Sequence, residues 1–184
     1  SGYTDIAIGL SLLMGYHLPM NFNSPYKAQN CSNFWKRWHI SLSRWLQTYL
    51  YIPLGGNRNV TKATYFWIFI IASFTLILSG SMWVASILIF VLLLVIHIAY
   101  RFPERRRKIC ANLNSMITMV LGGLWHGAAV RFVLWGALHG VALALHKMWL
   151  AIVPWSKSKG EDMNPLLRVL SWALTFNVVC LGWL

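Results

Sequence analysis

Tyr65 to Tyr100 is almost wholly apolar and carries no charged side chain. It is too long for one ordinary membrane span, which takes about 20 residues. Ser79-Gly80-Ser81 divides it into a short first half and a longer second half. A helical hairpin is the form this predicts, with one long tilted helix as the alternative.

The rest of the 184-residue chain has the same character. Fully 58% of it is hydrophobic and 11% charged, with only four carboxylates. A soluble domain usually carries about 25% charged residues, because a small domain must cover its surface with polar groups. Lipid is the simpler solvent for this surface. The expected fold class is all-α, a polytopic integral membrane bundle of helices, some interfacial and some broken or re-entrant. Residues 1–184 are expected to form a single membrane domain, the interior of a longer protein.

A net charge of +12 raises the question of nucleic acid. The basic residues, however, sit between apolar segments, at Lys36, Arg37 and Arg44, at Arg58 and Lys62, and from Arg101 to Lys108. That is the positive-inside bias of a multi-pass membrane protein, so the expected surroundings are lipid and not nucleic acid. Cys31, Cys110 and Cys180 lie far apart with no metal or disulfide spacing and read as small buried residues.

Other segments follow from local signals. Residues 6 to 20 are apolar and end at Pro19, and 21 to 33 form a polar loop. At 100° per residue, Phe34, Trp35, Trp38, Leu42, Trp45, Leu46 and Tyr49 share one side of a helix from Phe34 to Leu50, capped by Ser32 or Asn33. Lys36, Arg37, Arg44 and Gln47 oppose them, as in a helix lying in the membrane interface. Tyr51 to Asn59 is a turn built on Pro53, Gly55 and Gly56. Ser115 to Leu150 is a second long apolar stretch, interrupted by Gly122, Gly123 and Gly127 around Trp125-His126. Residues 154 to 165 read as a polar loop and 166 to 184 as a further helix.

The scarcity of carboxylates leaves histidine as the chemistry. A paired-carboxylate mechanism or a magnesium site is hard to build here, and no metal site is expected. His126 lies in an apolar stretch, where an ionisable group is costly and is a functional candidate by default. Irregular backbone at membrane depth needs protein or a water-filled cavity beside it. There His126 would act as a general base or acid; the bland alternative is that the glycines simply let helices touch. His39, at the edge of the aromatic stripe near Ser43, would orient a substrate, relay a proton or simply snorkel. His139 and His146, seven residues apart on one face with no carboxylate companion, read as structural, and His17 and His97 as interfacial.

Two stretches resemble a known family. FNSPYKAQNCSNFWKRWHISLSRWLQTYLYIPLGGNR and NLNSMITMVLGGLWHGAAVRFVLWGALHG resemble segments of the membrane-bound O-acyltransferases of the alginate O-acetylation type. The opening SGYTDIAIGLSLLMGYHLPMNF fits the helix before the first of them. The resemblance implies helices surrounding a funnel or tunnel, with His126 catalytic, His39 the second active-site position, and Trp35, Trp38, Ser43, Trp125 and Gly127 lining the site. It implies a cytoplasmic acyl thioester, acetyl-CoA, as donor substrate with no bound cofactor. It further implies a periplasmic polysaccharide acetyltransferase as partner, and a multi-pass place in the bacterial inner membrane. The hydrophobic hairpin and basic cluster of residues 65 to 108 depart from the usual short path between the two segments. A transporter or channel with His126 and Arg131 in a polar pathway is the other reading, since broken glycine-rich helices suit transporters too. A third keeps the enzyme and changes the acceptor to teichoic acid, peptidoglycan, cellulose or a lipid.

Overall fold

The computed structural model describes residues 2–152 and 164–183. Among them there are eight α-helices and no strand. They are α1 (Gly2–Leu13), α2 (Cys31–Trp35), α3 (Ile40–Leu46), α4 (Lys62–Ser79), α5 (Met82–Arg101), α6 (Pro103–Leu124), α7 (Val130–Ile152) and α8 (Pro165–Leu181). Most of the expected polar loop, including Glu161 and Asp162, lies outside the described residues.

The apolar stretch from Tyr65 divides as its Ser-Gly-Ser predicts. Gly80 takes φ 59° after the last turn of α4, a conformation that costs glycine nothing. The α4 and α5 helices then pack against each other. Two helices are long and apolar enough to cross a membrane, Lys62–Ser79 and Val130–Leu150, with mean hydropathies of 1.6 and 1.2. Very little of either is buried within the chain, which separates them from the core helices of a soluble domain. Their exposed side chains, such as Phe69, Ile77, Leu134 and Leu145, form the kind of apolar surface that water does not tolerate at this scale.

The tightest packing joins α6 and α7 in antiparallel register. A Cβ on Gly140 would meet Met116, one on Gly136 the Met119 carbonyl and Val120 Cα, and one on Gly123 the Phe132 carbonyl. Gly136 and Gly140 have the small-xxx-small spacing that lets membrane helices approach backbone to backbone. Ile117, Met119, Val120 and Val133 are buried in this seam. A second core gathers Ala28, Phe34 and Val179, with Trp35 and Trp38 against them.

A polar hub ties the glycine turn to α6. Asn114 is fully buried, and its Nδ2 donates to the carbonyls of Gly56 (3.0 Å) and Asn59 (2.8 Å). The Thr64 hydroxyl donates to the Leu54 carbonyl (2.8 Å) and lies 3.2 Å from Asn114 Oδ1. Arg107 Nε donates to the Asn57 carbonyl (3.2 Å), so the basic cluster in the first turns of α6 adjoins the turn that carries Arg58. All three cysteines are free; Cys31 and Cys110 are buried and Cys180 half-buried. Burial pushes the Cys31 thiol up from its ordinary value.

Two expectations are corrected. The helix from Phe34 to Leu50 is not continuous: α2 ends at Trp35, α3 begins at Ile40, and a π-helical segment follows at Gln47–Tyr51. Its start is capped neither by Ser32 nor by Asn33 but by Asn30, whose side chain accepts from Asn33 N–H (2.7 Å). The reason is that α2 begins earlier, at Cys31, which leaves Asn30 as the residue outside its first turn.

Candidate functional site

The break between α2 and α3 is made at His39, which sits at φ 43°, ψ 58° in the left-handed region. A residue with a Cβ is held there only when its surroundings over-determine the backbone. Here they come from the loop before α2. Asn23 N–H donates to the Arg37 carbonyl (2.9 Å) and Ile40 N–H to the Asn21 carbonyl (3.0 Å). Ser41 N–H donates to Asn21 Oδ1 (2.9 Å), which caps α3 in place of a side chain at His39. The Ser43 hydroxyl donates to the Trp38 carbonyl (3.2 Å) and Ser43 N–H to the His39 carbonyl (2.9 Å). The backbone groups freed by the break thus have partners on both sides.

The second break separates α6 from α7 at His126. The last turn of α6 closes with Trp125 N–H donating to Leu121 (3.1 Å) and His126 N–H to Gly123 (2.9 Å). Gly127 follows at φ 156°, and a Cβ there would stand 2.7 Å from Phe132 Cε2. That ring in turn stacks on His126, with centroids 6.0 Å apart and planes at 27°. Gly127 therefore makes room for one wall of the histidine's surroundings. Trp125 (5.0 Å) and Trp135 (5.3 Å) present further walls, each near edge-on. His126 itself is exposed on the described chain and stands at the carbonyl end of α6.

The two breaks meet at Trp125. His39 lies 6.5 Å from that indole at 89°, and His126 lies against it at 76°. Phe22 covers His39 from the loop side at 5.9 Å, and His39 Nδ1 is buried with no hydrogen-bond partner among the described residues. Trp125 is 64% exposed and also lines a cavity of about 290 Å³ with Leu42, Trp45, Leu46, Leu50, Trp67 and Leu121.

The remaining expected residues occupy a second layer. Trp35 packs on Trp135 (5.8 Å) and His139 (5.2 Å), not on His126. Trp38 stacks on Phe34 (5.7 Å, 15°) and meets Phe22 and Trp183. Ser43 spends its hydroxyl on the break. Phe132 and Trp135, which touch His126, were not singled out in the sequence. Their signal was present: they lie six and nine residues past His126, across a connection too short to carry α7 away from α6.

Residues 1–102 match the membrane-bound O-acyltransferase family, MBOAT. The chain belongs to this family. Across its whole length it is 40% identical to a probable alginate O-acetylase of Pseudomonas syringae pv. tomato, of which it covers 24%. It is 36% identical to a peptidoglycan O-acetyltransferase of Helicobacter pylori, covering 25% of that protein. It is 27% identical to a teichoic acid D-alanyltransferase of Bacillus subtilis, covering 36% of it. The chain thus spans about a quarter of the length of the alginate-type relatives.

Proposed function

We propose that this chain is the histidine-bearing part of a multi-pass inner-membrane O-acyltransferase. It passes acetyl groups from a cytoplasmic thioester, acetyl-CoA, toward hydroxyls of an exported polysaccharide of the alginate kind. The observation that supports it best is the meeting of two broken helices at Trp125, each presenting a histidine, in a chain of the MBOAT family. Its relatives include alginate O-acetylases, a peptidoglycan O-acetyltransferase and a teichoic acid D-alanyltransferase, and several alginate O-acetylases stand at 38–40% identity against 27% for the D-alanyltransferase.

In this reading His126 takes the proton from the acceptor hydroxyl as its oxygen attacks the thioester carbonyl. The tetrahedral intermediate then collapses with cleavage of the C–S bond, and the imidazolium returns its proton to the departing thiolate. The carbonyl end of a helix is where a cation is favoured, which suits a base that becomes an imidazolium during transfer. Such proton transfer contributes about 10²–10⁴-fold. His39 positions or polarises a reactant from the other indole contact, and Trp125 keeps water from the space between. The exposed face of His126 is covered in the full-length protein by further helices of the bundle, which complete the tunnel. A periplasmic polysaccharide acetyltransferase is the partner that carries the acetyl group onward.

The test is release of CoA thiol from acetyl-CoA by membranes containing the full-length protein. Release that rises with added acceptor or partner supports group transfer. A protein that moves solutes without consuming the thioester would be the transporter instead.

A further inference from the structure

Beyond the two histidines at Trp125, the chain buries a third. His139 is 2% exposed and lies one turn beyond Trp135 on α7. Its ring stacks parallel to Phe34 (6.4 Å, 5°) and meets Trp35 (5.2 Å, 87°) and Trp135 (4.6 Å, 64°) edge-on. Its Nδ1 is buried with no hydrogen-bond partner among the described residues, and the same is true of the indole Nε1 of Trp35. Two hydrogen-bonding nitrogens in touching rings are therefore both left unpaired.

Packing alone does not account for them. A phenylalanine at 139 would keep the aromatic contacts and remove the cost of burying a bare nitrogen. The neighbouring helix also yields to the imidazole: a Cβ on Gly182 would stand 2.9 Å from His139 Nε2. The same indole, that of Trp135, touches both His139 and His126, as Trp125 touches both His126 and His39. Buried waters bridge polar groups that would otherwise be unpaired, and such groups fix the rings around them.

We propose that His139 is a positioning residue for acyl transfer: its Nδ1 and the Trp35 Nε1 share one bound water, and through Trp135 it sets the ring of His126. This rests on His126 being the base. A shift of the base by about 1 Å costs about a hundredfold, so fixing its ring from behind is a substantial effect without any contact to substrate.

The experiment measures kcat and KM for acetyl-CoA on the full-length protein. The set is wild type, His126→Ala, His139→Phe, His139→Gln, Trp35→Phe and the His139→Phe/Trp35→Phe double variant. His139→Phe is expected to keep its melting temperature, lose at least about tenfold in kcat and leave KM within about twofold. His139→Gln, which can still bond the water, recovers part of the loss. Trp35→Phe falls similarly, and the double variant is no worse than the weaker single one. Wild-type kcat in His139→Phe overturns the proposal, as do losses that multiply in the double variant. If His139→Phe does not accumulate, Trp35→Phe decides alone, and wild-type kcat there overturns it. Full turnover in His126→Ala would instead remove the base on which the proposal stands, whatever position 139 shows.

Discussion

A histidine at φ 43° and ψ 58° costs the backbone about 1–2 kcal/mol, because its Cβ crowds the following carbonyl where a glycine would not. His39→Gly relieves that strain but adds about 0.5–1 kcal/mol of unfolded-chain entropy and loses the contacts with Phe22 and Trp125, so stability is expected to change by less than about 1 kcal/mol while acetyl transfer falls; thermal melting and label transfer on one preparation check both. Gly127 is the opposite case. A methyl group 2.7 Å from the Phe132 ring must displace the ring that stacks on His126. Gly127→Ala should accumulate normally in the membrane and lose about tenfold in turnover, measured as acetyl transferred per protein. As a candidate only, His126 was legible in the sequence because an ionisable residue among three glycines in an apolar stretch has few structural excuses. His139 was not, since a histidine on a helix face looks the same whether its nitrogens are paired or bare. Only the packing of Phe34 and Trp35, a hundred residues earlier, tells the two apart.

The hairpin of α4 and α5 and the break before α7 were readable because glycine and serine interrupt otherwise unbroken apolar runs. The break at His39 was not readable from its own segment, which contains neither glycine nor proline and keeps a clean helical stripe. The chain breaks there because Asn21 and Asn23, well upstream, pair with the backbone on either side of the gap. Helical periodicity carries no information about such a partner. The turn after α3 depends on a distant residue in the same way. Asn114→Ala leaves the buried carbonyl of Gly56 without its donor, at about 1–3 kcal/mol, and removes the part-buried bond to Asn59, whose carbonyl can turn to solvent. A lower melting temperature in detergent, with the turn becoming open to limited proteolysis, is the expected outcome; an unchanged melting temperature would show the turn to be held by other bonds.

At the scale of the whole molecule, the apolar surfaces of α4 and α7 and the grouping of basic residues give an orientation. Arg107 reaches the Asn57 carbonyl, so the Arg105–Lys108 cluster and Arg58 lie at one end, for which the positive-inside rule predicts a cytoplasmic location. A cysteine introduced as Arg106→Cys should resist a membrane-impermeant maleimide added to intact cells and react after permeabilisation. Labelling in intact cells would invert the topology and put the thioester on the wrong side of the site. The central claim is the chemistry of His126. Its most direct test is the transfer of radiolabelled acetyl from acetyl-CoA in membranes carrying the full-length protein, wild type beside His126→Ala. The account predicts label on protein or polysaccharide with the wild type and a loss of about 10²–10⁴-fold in the variant, with equal amounts of both proteins in the membrane. Equal labelling by the two would remove His126 from the reaction and contradict it.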